Sequence, residues 1–356
     1  MSQYRHALPQ LGSRIFLTDV GLETMLVFHD GMDLPAFASF TLLDTVDGTE
    51  RLRRYYRRCL AHAASLGRGF VLESPTWRAN ADWGRQLGYT AAGLADRNRR
   101  AIALMVELRN EFRHTALPIV ISGNLGPRGD GYDPGAPDAA EAYEAYHREQ
   151  IAVFARTEAD MISAFTITNV PEAIGIARAA AAVGMPTVIS FTVETDGRLP
   201  TGESLRAAIE AVDAATDRAP AYYMLNCAHP THFESVLEEG PWIERIRGLR
   251  ANASHRSHAE LDAATSLDDG DPAALAAAYG SLRRRFPQLC VLGGCCGTDH
   301  RHVEAIAAVC EDTGPALAPA SLAAHAPLAA VTTATLALFG FLLFCLTNAV
   351  QYPLVV

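Results

Sequence analysis

Residues 289–298 read Leu-Cys-Val-Leu-Gly-Gly-Cys-Cys-Gly-Thr. The first half is an apolar run of the length a buried strand needs, and the run stops at glycines. Two cysteines stand side by side where that strand would end. Seven more runs of this kind lie upstream: Ile15–Thr18, Gly69–Leu72, Pro118–Ser122, Asp160–Phe165, Pro186–Val193, Ala221–Asn226 and Ile246–Ala251. Longer amphipathic stretches separate most of them. In Thr49–Leu66, for instance, Leu52, Tyr55, Tyr56, Cys59, Leu60 and Ala63 recur at helical spacing. Ala139–Glu158, Pro171–Val183, Ser204–Thr216 and Pro272–Arg285 have the same character. Strand then helix, eight times over, is the pattern of an α/β chain folded as a (β/α)8 TIM barrel, with a doubly wound open sheet as the alternative. A barrel carries its chemistry just past the strand ends. The residues there are Asp19 and Glu23, then Glu73, then Gly123 and Asn124, then Glu194, Asn226 and Cys227, Asn252, and finally Cys295 and Cys296.

The composition narrows the function classes. Hydrophobic residues are 49% and charged residues 20% of 356, enough apolar mass for a large core. The net charge of −10 and the lack of basic clusters argue against a nucleic-acid partner. All 30 basic residues are arginine. With no lysine, Schiff-base, pyridoxal-phosphate and P-loop lysine chemistry are excluded. Seven cysteines is an odd number, and the N-terminus has no apolar signal segment, so a reducing cytoplasmic location is expected.

Asn226-Cys227 and Gly293–Thr298 carry the strongest chemical signal. Strands six and eight lie close around a barrel, so Cys227, Cys295 and Cys296 can meet at one point above it. Three thiolates suit zinc, and a three-ligand shell leaves a fourth position for substrate. The flanking glycines let the backbone turn sharply enough for both neighbouring sulfurs to face one ion. A coincidence of small buried residues or a vicinal disulfide would explain Cys295-Cys296 alone, but not its pairing with Cys227. Cys59, Cys290, Cys310 and Cys345 read as packing residues. A thiol bound to such a centre is held as thiolate, whereas a free thiol has a pKa of roughly 8.5. The chemistry expected is alkyl transfer to sulfur. A zinc-dependent hydrolase or lyase would use a bound water, usually with His and carboxylate ligands, and no H-x-H or HExxH pair is present.

At these residues the chain resembles the homocysteine S-methyltransferase family, zinc-dependent barrels that move a methyl group from a sulfonium or quaternary ammonium donor to homocysteine. GGCCGT at Gly293–Thr298 with the upstream Asn226-Cys227 is the most specific part. TDVGLETML near the N-terminus, ESPTWRAN at Glu73–Asn80, GNLGPRGD at Gly123–Asp130 and SFTVETDGRLPTG at Ser190–Gly202 follow in the family's order. The resemblance implies that Cys227, Cys295 and Cys296 hold Zn2+. It implies that Asp19 takes the ammonium of homocysteine and backbone N–H groups near Val20 and Gly21 its carboxylate, with Asn226 and Asn252 lining the pocket. One departure stands out. Many members carry Glu-Thr after strand four, the Glu being a second partner for the ammonium, and this chain has Phe165-Thr166. Glu73 or Glu194 would have to substitute, or the acceptor is a different thiol. His229 reads as a pocket-lining residue near the metal, His255 and His258 as members of a solvated polar loop, and Gly123–Gly131 as a mobile loop at the mouth.

The expected organisation is a barrel over 1–312, an Ala/Pro-rich linker over 313–330, and an apolar segment over 331–350. No residue from Ala326 to Val356 is charged. That length crosses a bilayer as a helix, so 331–350 reads either as a membrane anchor or as a non-native tail. An anchored barrel that binds thiols or metal without methyl transfer is the non-enzymatic alternative.

Overall fold

A computed structural model describes residues 1–312 of the chain. Among these residues eight parallel strands close into a barrel in sequence order, β1 (Phe16–Leu17), β2 (Gly69–Glu73), β3 (Ile119–Leu125), β4 (Met161–Ile167), β5 (Thr187–Phe191), β6 (Tyr222–Asn226), β7 (Ile246–Ala251) and β8 (Val291–Gly294). Closure comes from β8 pairing with β1, Val291 opposite Phe16. The fold is therefore the (β/α)8 barrel, and the open sheet is set aside. Each expected run overlaps a strand, with β2 and β8 running one residue past it. β3 and β4 extend further than the runs suggest, so Gly123 and Asn124 lie within β3.

Helices follow the strands on the outside. Thr45 caps Val46–Ser65, Ser204 caps Leu205–Thr216, and Asp271 caps Pro272–Arg285, each accepting a backbone N–H from the first turn. The crossover after β6 is the exception, with only the short helix Pro230–Phe233. Gly240-Pro241 follows soon after, and this connection has no uninterrupted stretch long enough for a full helix.

Strand alternation sorts the barrel side chains into two sets. Leu72, Ile121, Ile162, Ile189, Leu225, Leu249 and Leu292 point outward into the large core shared with the helices. Inside, the lower layers are apolar, with Phe16, Val71, Val120, Val188, Met224 and Val291. The N-terminal segment closes this lower end. Leu8 packs into the interior cluster, and buried Gln10 meets Met161 and Tyr222. Towards the mouth the same inward positions become polar: Glu73, Ser122, Ser163, Ser190, Asn226 and Arg250 are all buried. The register holds Asn226 beside Arg250 and Arg250 beside Gly293. An apolar plug under a polar layer at the strand C-termini is the arrangement a barrel uses to carry a site on a rigid base.

No helix among the described residues is long and apolar enough to cross a membrane. The linker over 313–330 and the anchor or tail over 331–350 lie outside the described residues.

Candidate functional site

The ends of β6 and β8 bring three sulfurs together. Sγ of Cys227, Cys295 and Cys296 lie within 4.8 Å of one another. Cys227 and Cys295 are in direct contact, with their Cα atoms 5.5 Å apart. Backbone conformation makes this possible. Cys227 has φ 54°, a left-handed geometry that a residue with a Cβ adopts at a cost of order 1–3 kcal/mol. It is held there by Asn252, whose Nδ2 donates to the Cys227 carbonyl at 2.9 Å, and by its own N–H to Arg250 O at 3.1 Å. On the β8 side a Cβ at Gly293 would overlap Thr18 Oγ1, so glycine lets β8 lie against the end of β1. Gly297, with φ 78°, then turns the chain back over the pair.

Polar groups surround the sulfurs. Asn226 accepts from Ser190 Oγ at 2.6 Å and from the Thr166 N–H at 2.9 Å. With its oxygen so fixed, its amide nitrogen donates to Cys227 Sγ at 3.2 Å and reaches Cys295 Sγ at 3.9 Å. Thr166 Oγ1 lies 3.6 Å from Cys227 Sγ, and Tyr132 OH 3.4 Å from Cys296 Sγ. A cluster of three soft donors, two of them oriented by a buried carboxamide, is a set that could hold a tetrahedral metal ion with one position to spare.

A cavity of about 110 Å³ opens beside the sulfurs, lined by Asp19, Gly21, Glu73, Asn124, Phe165 and Arg250 among others. Asp19 is buried and already engaged. Arg250 Nη2 lies 2.7 Å from its Oδ1, and Tyr55 OH donates to its Oδ2 at 3.1 Å. The Gly21 N–H donates to Thr298 Oγ1 at 3.2 Å. Glu73 accepts from Ser163 Oγ at 3.1 Å through one oxygen, while its other carboxylate oxygen is buried without a partner. Burial pushes the Glu73 carboxyl up to about 7, against the pull of Arg250. A second cavity of about 280 Å³ adjoins the first at Trp77, Thr166, Cys227 and Cys296. Its wall carries Phe28, Phe37 and Tyr132 together with Asp130 and Asp262.

Not every expected residue sits where the sequence suggested. Asn226 lines the inner cavity, but Asn252 is not among its lining residues and lies behind Cys227, fixing its carbonyl. His229 caps Pro230–Phe233 and is absent from the sulfur cluster. His255 is exposed, as a solvated loop requires. His258 is not: it is 5% exposed, its Nε2 lies 2.7 Å from Cys227 O and its Nδ1 3.1 Å from Glu194 Oε1. A neighbouring carboxylate and carbonyl satisfy both ring nitrogens, which is why this histidine tolerates burial where its neighbour stays in water. The Tyr132 ring stacks on it with centroids 4.1 Å apart. Arg250, His258 and Tyr132 are the site residues that the sequence did not single out.

Comparison with known proteins agrees with this picture. The model of the family described as homocysteine S-methyltransferase matches residues 16–310. The oxidised form of the homocysteine methyltransferase MmuM from Escherichia coli superposes with a TM-score of 0.65 at 18% identity, over 86% of this chain and 99% of that one. Its metallated form gives 0.60 at 18% identity, over 85% and 98%. At that identity the likeness speaks for the fold. Among curated proteins none matches the chain.

Proposed function

The chain belongs to the homocysteine S-methyltransferase family, and on that premise we propose a zinc-dependent enzyme that transfers a methyl group from a cationic sulfonium or quaternary ammonium donor to the thiol of homocysteine. The observation that carries the proposal is the meeting of Cys227, Cys295 and Cys296 beside a cavity whose wall carries Asp19, Glu73 and Arg250. These three residues would hold the ion. When bound, zinc on such a shell would lower the pKa of the acceptor thiol so that a nucleophilic sulfur is present at neutral pH.

The chain's own residues supply position and surroundings. Asn226 and Asn252 hold Cys227 in its left-handed turn from two sides. The inner cavity takes the acceptor, and the outer one the donor. Aromatic faces and carboxylates suit a cation, and Phe28, Phe37, Asp130 and Asp262 supply both in the outer cavity. Because the cavities meet at the sulfurs, the two substrates can be brought together there for an in-line displacement. The acceptor sulfur forms the new S–C bond while the donor's bond to its methyl group breaks. The electron pair leaves with a neutral thioether or amine. Three thiolates must remain reduced for this, so the proposal includes a cytoplasmic location.

Metal analysis of the full-length protein, with methyl transfer to homocysteine measured over a panel of sulfonium and quaternary ammonium donors, tests the reading. We expect stoichiometric zinc and turnover with a cationic donor. Cys296→Ser, which alters the most exposed of the three cysteines, should lose zinc and turnover while keeping its thermal midpoint. A zinc-loaded protein that transfers from no donor in the panel would overturn it.

A further inference from the structure

Two of the acceptor-binding groups that the family resemblance points to are already engaged by this protein's own atoms, although Asp19 Oδ1 has an ion-pair partner and no hydrogen bond. Asp19 is paired with Arg250 and bonded by Tyr55, and the Gly21 N–H is given to Thr298. The position where many members have a second carboxylate is Phe165, and the guanidinium of Arg250 lies over its ring, 4.9 Å from the centroid. These two departures are therefore in contact: the aromatic ring on β4 seats the arginine from β7.

Arg250 is 7% exposed. Its Nε donates to Gly294 O at 3.1 Å, and its Nη2 to Val20 O at 3.2 Å besides facing Asp19. Nη1, with two N–H groups, makes no hydrogen bond among the described residues, and the side chain lines the inner cavity. In the same cavity wall Glu73 Oε2 is buried and unpartnered. An unpaired donor on a cavity-lining guanidinium and a buried acceptor in the same wall are costly to leave unmatched, and a ligand carrying the opposite groups satisfies both.

Resting on the acceptor reading above, we propose that Arg250, seated on Phe165 and braced by Asp19, receives the carboxylate of an amino-acid thiol, and that Glu73 receives its ammonium. Asp19 is then a positioning residue that orients the guanidinium. The polarity of the acceptor pocket is set by Arg250 and Glu73 in this chain.

Calorimetric binding of thiols to the zinc-loaded full-length protein, with no methyl donor present, tests this directly. The ligands are L-homocysteine, its decarboxylated analogue homocysteamine and its deamino analogue γ-mercaptobutyrate. The wild type should bind homocysteine roughly 10- to 100-fold more tightly than either analogue, the value of a buried charged hydrogen-bonding group. Arg250→Gln should erase the preference over homocysteamine, and Glu73→Gln the preference over γ-mercaptobutyrate. Should Arg250→Gln fail to fold with Asp19 left unpaired, Arg250→Lys keeps the charge and removes the fork, and the same loss of preference is expected. If homocysteine binds but its advantage over homocysteamine survives both Arg250 variants, this inference falls and the acceptor reading stands. If the zinc-loaded wild type binds none of the three thiols, both fall.

Discussion

The barrel buries an arginine–aspartate pair at each end, and the two aspartates are treated differently. At the closed end Asp160 is 0% exposed and takes four donors: the Gln3 and Tyr4 N–H groups at 2.6 and 2.8 Å, the Ile121 N–H at 3.0 Å and Arg109 Nη1 at 2.8 Å. This carboxylate knots the N-terminal segment, β3 and the helix Ala91–Glu111 to the start of β4. At the mouth Asp19 has one hydroxyl donor and one ion-pair partner, its Oδ1 has no hydrogen bond, and Arg250 lines the inner cavity. The lower aspartate is saturated by the chain itself, whereas the upper one leaves capacity for something from outside. A buried charge whose every lone pair is used acts as a structural clamp. One that is only partly used is a poised group.

The largest effect expected from breaking this contrast is at the closed end. Asp160→Ala strands Arg109 in the interior and releases three backbone N–H groups, and should cost about 3–5 kcal/mol of stability. Urea unfolding of the zinc-loaded protein should show the fall in midpoint, while the folded fraction keeps its full zinc content. A variant that lost zinc in proportion to its stability would show that the two ends are not separable in this way.

Glu73 gives the next largest effect and belongs to the open end. It faces Arg250 from β7, Asp19 from just past β1, and Ser122 and Ser163 from β3 and β4. Burial pushes its carboxyl up to about 7, above the unfolded value of roughly 4.3. A raised folded pKa means the native state holds the proton more tightly than the unfolded chain. Its contribution to stability is present below the unfolded pKa and is lost as pH rises through about 7. In the ligand-free protein the stability difference between wild type and Glu73→Gln should therefore shift against the wild type from pH 5 to pH 8, on the order of 2 kcal/mol. Denaturation series at both pH values measure it. A difference that does not change with pH would mean that Glu73 is charged throughout and has a partner already.

What could be read from the sequence follows from how local each signal is. The strands are legible because fully buried parallel strands are short apolar runs, and all eight expected runs overlap one. Cys227, Cys295 and Cys296 stood out because a rare residue type recurred at strand ends between glycines. Phe165 was visible as a break in a motif. Arg250 was hidden inside the run Ile246–Ala251, although its place in the alternation, in step with Asn226 and Gly293 by register, is a signal that period-2 phasing would have caught. His258 could not be told from His255 by any local feature. They lie three residues apart in one polar loop, and only Glu194 and Cys227 O, brought in by β5 and β6, bury one of them. The missing helix after β6 was foreshadowed by Pro230 and Gly240-Pro241, which cut the segment into pieces too short to make one.

The smallest effect belongs to Tyr132, where the open end meets the loop between β3 and the helix Ala140–Ala155. Its hydroxyl touches Cys296 Sγ at 3.4 Å, and its ring stacks on His258 at an interplanar angle of 17°. Tyr132→Phe keeps the ring and removes the hydroxyl, so it separates the polar contact from the packing. A hydroxyl donating to a ligand sulfur draws charge from it and fixes its direction, and losing such a partner should weaken zinc binding roughly tenfold, the low end for groups that orient metal ligands. Competition with a chelator measures that change, and an unaltered thermal midpoint would show that the stack on His258 survives. Tyr132→Ala removes both and should lower the midpoint as well. If the Phe variant holds zinc as tightly as the wild type while the Ala variant does not, the ring alone matters, and the orienting hydrogen bonds to the sulfurs are those of Asn226 and Thr166. That outcome would place the orienting work in the rigid barrel and leave the loop as a cover, sharpening the division between the two ends.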